Sequence, residues 1–132
     1  MYCLDTNICI YYLKGLYPGL KSRLLLENPG NIRIPSIVKA ELLYGAEKSR
    51  LKEENLELIR QFLFPLEILD FGSRESEEYS LIRAFLESKG QVIGPNDLLI
   101  AATAKASNAI LITHNTGEFS RVPDLKIEDW TL

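Results

Sequence analysis

YCLDTNICIYYL, residues 2–13, begins with an apolar triplet, breaks at the polar Asp5-Thr6-Asn7, and continues from Ile8 to Leu13 with helical character. A short strand, a polar turn and a helix in that order make the first half of a β–α unit. The same alternation spreads outward along the chain. Asn31 to Ile34 reads as a second strand, and Pro35 beside Ser36 suits the opening of a helix running to about Lys48. A further helix covers about Glu53 to Leu63 and is closed by Pro65. Leu66 to Leu69 then reads as a third strand, followed by a helix over about Ser73 to Ser88. Gly94-Pro95-Asn96 punctuates the chain ahead of a helix from about Asp97 to Ala106, Ala109 to Thr113 is a buried strand, and a short last strand lies near Lys126 to Ile127. Strands alternating with helices of this length predict an α/β domain whose mostly parallel central sheet is flanked by helices. Ligands of such folds sit beyond the carboxyl ends of the strands.

The whole chain bears this out as one domain, residues 1–132. It has 46% hydrophobic residues, enough for a core of its own, and neither repeats nor a linker-like segment. No apolar run is long enough to span a membrane, and MYCLDTN lacks the basic and apolar regions of a signal peptide, so a cytoplasmic location is expected. Cys3 and Cys9 are the only cysteines and sit in apolar surroundings, which predicts buried reduced thiols. A net charge of −3 does not advertise nucleic-acid binding by itself. Its distribution is less even: residues 11–60 hold nine Lys/Arg against six Asp/Glu, and residues 61–97 hold three against seven. A basic face in the first half and ordinary solvated helix surfaces both fit that pattern.

Three acids stand where burial should exclude them. Glu41 has Ile37, Val38, Tyr44 and Gly45 at helical spacing, and Asp97 has Ile93, Gly94, Ile100 and Ala101. Asp5 ends the first strand, at the address of the substrate crevice in a parallel sheet. Each has a structural explanation when taken alone. Asp5 and Asp97 can cap or favour a helix N-terminus, and Glu41 can pair with a buried Lys or Arg. Taken together, converging carboxylates need a counter-charge, and a hard divalent cation such as Mg²⁺ supplies it economically. Such an ion usually bridges to substrate phosphate, which points to phosphoryl chemistry. With one histidine, no Ser-His-Asp or Cys-His set is readily built.

LDTN (Leu4 to Asn7), AELLYGAEKS (Ala40 to Ser49), IGPNDLLIAATA (Ile93 to Ala104) and LITHNTGEFSRVPDLKIEDW (Leu111 to Trp130) occur in an order and spacing that resembles the VapC-like toxins of the PIN-domain ribonucleases. The resemblance covers essentially the whole chain and implies a PIN-like three-layer sandwich. It implies that Asp5, Glu41 and Asp97 bind the metal, Mg²⁺ with Mn²⁺ as a substitute. Asn115 stands where many of these proteins carry a fourth catalytic acid, which leaves less negative charge and favours a single metal. Glu118 either supplies the missing carboxylate or is a surface residue near a turn. Thr6, Asn7, Asn96 and Thr113 would line the pocket, and His114 reads as a pocket-edge residue rather than the general acid.

The implied activity is a metal-dependent endoribonuclease, the toxin of a type II toxin–antitoxin system. Metal-activated water would cut a structured RNA and leave a 5′-phosphate and a 3′-hydroxyl. The THN-x-x-EF-x-RV ending resembles relatives that suggest a tRNA anticodon loop, that of the initiator tRNA in particular. Lys39, Lys48, Arg50 and Lys52 are candidate phosphate contacts. Expected partners are a cognate VapB-type antitoxin that pushes a basic side chain into the acidic pocket, and a second copy in a homodimer. Leu42, Leu43, Leu56, Ile59 and Phe62 serve either a core or such an interface. The competing expectation is a PIN-fold RNA- or protein-binding module with little turnover. A receiver-like domain lacks its adjacent acid pair here, and a haloacid-dehalogenase-type phosphatase lacks the second Asp after Asp5.

Overall fold

The structure is a computed structural model describing residues 1–132. Strand β1 (Tyr2–Leu4) is flanked by β2 (Ile32–Pro35) and β4 (Ile110–Ile112), with β3 (Glu67–Leu69) and β5 (Ile127–Glu128) at the edges. The order is β3-β2-β1-β4-β5. Every pairing is parallel, so the expectation of a mostly parallel sheet understated its regularity. The chain steps from β1 to β2 to β3 in one direction and then returns to the other side of β1 with β4. That reversal opens a crevice at the carboxyl ends of β1 and β4, where an open parallel sheet binds its ligand.

The helices are α1 (Thr6–Leu13), α2 (Pro18–Leu26), α3 (Ser36–Glu47), α4 (Lys52–Leu63), α5 (Ser73–Ser88), α6 (Pro95–Ala106) and α7 (Thr116–Phe119). Helix α1 starts at Thr6, because Asp5 itself caps it, and α6 starts at Pro95 with proline in its first turn. Helix α2 has no counterpart among the expected elements. Its sequence PGLKSRLLL buries Leu20 fully and Leu24 in part but leaves Leu25 and Leu26 exposed, so the run of leucines hides the short apolar period. Helix α7 is a single turn, too short for any period to register.

The sheet and helices close over one core of 27 buried residues that runs from Cys3 to Trp130. Leu42, Leu56 and Ile59 belong to it, while Leu43 and Phe62 are partly buried against it, so core packing claims most of the positions also considered for an interface. Cys3 and Cys9 are free thiols inside it. Burial, with a smaller contribution from the nearby Asp5, pushes the Cys3 thiol up to about 12, and burial likewise raises Cys9. No helix is long and apolar enough to cross a membrane.

Candidate active site

Asp5 leaves β1 directly into the crevice and is 4% exposed. Its Oδ1 accepts from the Thr6 backbone N–H at 2.7 Å and its Oδ2 from the Thr113 hydroxyl at 2.8 Å. Capping and a site position are therefore the same arrangement. Thr113, fully buried just past β4, ties the second wall to the first, and its Oγ1 also accepts from the Asn115 N–H at 3.0 Å.

Glu41 comes from α3 and is half-buried, with its Oε1 accepting from the Thr6 hydroxyl at 2.7 Å. The ion pair considered for it does not form. The buried face of α3 is Val38, Leu42 and Ala46, whereas Tyr44 is 65% exposed, so Glu41 borders the apolar stripe rather than lying along its middle. Asp97, also half-buried, sits in the first turn of α6 and makes no capping hydrogen bond there. Glu118 is carried by α7, which the fully buried Phe119 pins to the core. Its Oε1 accepts from the Gly94 N–H at 2.6 Å and its Oε2 from the Asn115 amide at 2.8 Å. A Cβ at Gly94 would lie 3.6 Å from Glu118 Oε1 and 3.7 Å from Asp97 Oδ2, so the two carboxylates flank this glycine.

The electrostatics follow from that crowding. Burial, then repulsion from Asp5, Glu118 and Glu41, lifts Asp97 from the ordinary 3.8 to about 7, and its protonated form hydrogen-bonds to Glu118. Burial also raises Asp5 against the opposing hydrogen bonds from Thr113 and Thr6. The Gly94 amide, helped by Asn115, holds Glu118 below the usual carboxylate range. None of the four acids is in a salt bridge.

Asp5, Glu41, Asp97 and Glu118 thus share one crevice, and the amide of Asn115 is spent on Glu118. Thr6 bridges Asp5 and Glu41. Asn7 and Asn96 lie exposed in the first turns of α1 and α6, at the rim. His114 makes no hydrogen bond to the acids, and its Nδ1 lies 3.0 Å from Asp129 Oδ2. The Gly94 N–H escaped the sequence reading, although glycine before Pro95 was the one signal of an amide left open to a side chain. Lys39, Lys48, Arg50 and Lys52 are all exposed, with Lys52 paired to Glu47 at 2.9 Å and Lys48 4.9 Å above the Tyr44 ring.

No group of three or more His, Cys, Asp or Glu side chains is placed closely enough to hold a metal ion as the side chains stand. The acids of the crevice are all carboxylates and none is paired with a cationic side chain. That chemistry suits a hard cation that keeps several waters, Mg²⁺ or Mn²⁺, rather than Zn²⁺.

Residues 2–125 match the family model described as the PIN domain. Over 98% of its length the chain is 47% identical to "Ribonuclease VapC2" of Rickettsia felis, 98% of which is covered. The chain belongs to the VapC family of PIN domains. A second VapC relative, the "tRNA(fMet)-specific endonuclease VapC" of Shigella flexneri, is 40% identical with 98% of each protein covered. Among solved structures, VapBC2 from Rickettsia felis bound to a promoter DNA fragment superposes with a TM-score of 0.91 at 46% identity, covering 98% of both chains. DNA-bound VapBC from Salmonella typhimurium gives 0.92 at 40% identity, covering 98% of this chain and 97% of that one.

Proposed function

We propose that this VapC-family protein is the ribonuclease toxin of a toxin–antitoxin pair and cuts structured RNA with the help of a divalent cation. The observation that carries the reading is the gathering of Asp5, Glu41, Asp97 and Glu118 at the β1/β4 switch point with no cationic side chain in a salt bridge to any of them. Asp5, Glu41 and Asp97 would hold Mg²⁺, with Glu118 beside them. When bound, such an ion lowers the pKa of a coordinated water and neutralises charge building on a phosphate.

The protein's own groups have narrower tasks. Thr113 and the Thr6 N–H fix both oxygens of Asp5, which keeps that carboxylate aimed and partly offsets the rise that burial gives its pKa. The Thr6 hydroxyl holds Glu41. Asn115 is a positioning residue that, with the Gly94 N–H, orients Glu118. Asp97 takes up or gives back a proton near pH 7, so cation binding competes with protons at this residue.

For substrate, the name of the Shigella relative and its 40% identity support a tRNA, the initiator in particular, and the anticodon loop is the position proposed for the cut. A VapB-type antitoxin is the natural restraint. A cleft of about 340 Å³ between α1, α3 and α4, walled by Ile10, Leu13, Leu42 and Ile59, has Glu41 among its lining residues. A partner segment lying there would bring a basic side chain to the acids. Homodimerisation accompanies this proposal.

The test uses protein freed of bound partner, total RNA and defined tRNAs, with Mg²⁺, EDTA and Asp97→Asn compared and product ends mapped. Cleavage at one loop position, lost with EDTA and with the substitution and leaving 5′-phosphates, supports the proposal. RNA binding without cutting under any divalent metal would favour a binding module, and 2′,3′-cyclic phosphate ends would overturn the water mechanism.

A further inference from the structure

Three aromatic rings converge beside the acid crevice and take no part in the chemistry above. They are Tyr11 of α1, Tyr17 at the head of α2, and His114 just after Thr113. Ring centroids are 5.1 Å apart for Tyr11 and Tyr17, 6.2 Å for Tyr11 and His114, and 5.9 Å for Tyr17 and His114. Tyr11 is the inner, half-buried member, and both partners meet it edge-on. The outer two face solvent, Tyr17 at 37% exposure and the His114 side chain at 45%.

Both outer rings are held in place at some structural expense. Tyr17 has φ 56 and ψ 83, the left-handed region that a bulky side chain rarely adopts. His114 is clamped through Nδ1, which lies 3.0 Å from Asp129 Oδ2 and 2.9 Å from Thr131 Oγ1, and Thr131 in turn donates to Asp129 Oδ1 at 2.6 Å. The clamp leaves Nε2 without a protein partner.

Position ties the cluster to the crevice. His114 follows Thr113, whose hydroxyl bonds Asp5 Oδ2 at 2.8 Å, so the cluster is joined to the acid site through a single residue of chain. A base flanking a phosphate held at the acids is the ligand that rings in this position suit. Unpaired RNA bases dock on tyrosine and histidine rings, which bind any base through its π-face.

We propose that Tyr17 and His114, backed by Tyr11, form a stacking platform for an unpaired nucleobase beside the scissile phosphate. The proposal rests on the RNA-cleaving reading of the crevice and extends it: the substrate must present that base outside a helix, which selects loops over duplex.

The test measures binding of a stem–loop RNA, and of the same RNA with a single abasic nucleotide scanned through its loop. Every protein carries Asp97→Asn so that the RNA stays whole. Tyr17→Asn removes the ring while keeping a residue that tolerates the left-handed backbone, and Tyr17→Phe keeps the ring. Loss of one base–ring stack should weaken binding of the intact loop by about five- to a hundredfold in Tyr17→Asn, with Tyr17→Phe within about twofold of the parent. An abasic nucleotide at the stacked position should weaken the parent to a similar degree and Tyr17→Asn hardly at all, a non-additivity that a merely structural role would not produce. Melting temperatures of the three proteins verify the fold. If Tyr17→Asn binds the intact loop as well as the parent, or the two losses simply add at every loop position, the platform is refuted while the nuclease reading stands. If the parent binds no RNA, the underlying reading falls and takes the platform with it.

Discussion

Replacing Asp97 by Asn should stabilise the metal-free protein above neutral pH. Asp97 is lifted from 3.8 to about 7 by burial and by Asp5, Glu118 and Glu41, so between those pH values the folded chain keeps a proton that the unfolded chain has lost. Stability is therefore greatest, as far as this group is concerned, below about pH 4, and it falls as pH rises through about 7 before levelling off. The full shift of roughly three units would correspond to about 4 kcal/mol at ~1.36 kcal/mol per unit. Asp97 is only half-buried, and water at the crevice mouth screens the repulsion, which brings the expected cost to about 1–2 kcal/mol. Asparagine is isosteric, carries no charge, and keeps an N–H to donate to Glu118. Thermal melts in EDTA should show the variant about 3–8 °C above the wild type at pH 8, with the gap narrowing as pH falls and closing only near pH 4. Groups held low, such as Glu118 and Asp129, give the opposite slope, but at pH values below their ordinary range. Equal melting temperatures at pH 8, with the same slope in both proteins, would refute the electrostatic argument.

Thr113→Val keeps the shape of a fully buried side chain but leaves Asp5 Oδ2 and the Asn115 N–H without their partner. A loss of about 1–3 kcal/mol is expected in denaturant titration, together with a fall in RNA cleavage. Glu118→Gln should leave the melting temperature within a few degrees, because Gly94 and Asn115 still anchor the side chain, yet lower cleavage by about tenfold or more through lost negative charge at the crevice. Unchanged cleavage would place Glu118 outside the chemistry. Cys3 and Cys9, both fully buried and pushed up in pKa, should resist a thiol reagent in the native protein and react at once in denaturant. Rapid native reaction would contradict the packing of β1 and α1.

Much of this molecule was legible in its sequence because its signals are local. The triplet Tyr2–Leu4, the punctuation at Pro35, Pro65 and Pro95, and the long periodic helix Ser73–Ser88 each announce an element within a few residues. Glu41 and Asp97 betrayed themselves by apolar neighbours at helical spacing and Asp5 by its place at the end of the first strand, and the structure brings them to one crevice. What escaped depends on distant parts of the chain. Helix α2 packs only Leu20 and, partly, Leu24 on the core, while Leu25 and Leu26 beside them stay exposed and blur the stripe that would mark it. Glu118 is a site neighbour only because Phe119 anchors α7 and Gly94, 24 residues earlier, turns its N–H toward it. The ring cluster joins Tyr11 and Tyr17 to His114 across the β1/β4 crevice, a proximity that only the parallel pairing of those strands creates.

Cation uptake by the crevice is best measured with Mn²⁺, whose free ion is counted directly by electron paramagnetic resonance. Partner-free protein at pH 8, where Asp97 is largely ionised, should remove a single Mn²⁺ per chain from solution, and RNA cleavage should appear over the same concentration range. Asp5→Asn should abolish both while the protein remains folded. Cleavage that proceeds at full rate in EDTA, or a wild-type protein that takes up no Mn²⁺ beyond the Asp5→Asn variant, would contradict the assignment of these acids to a catalytic cation.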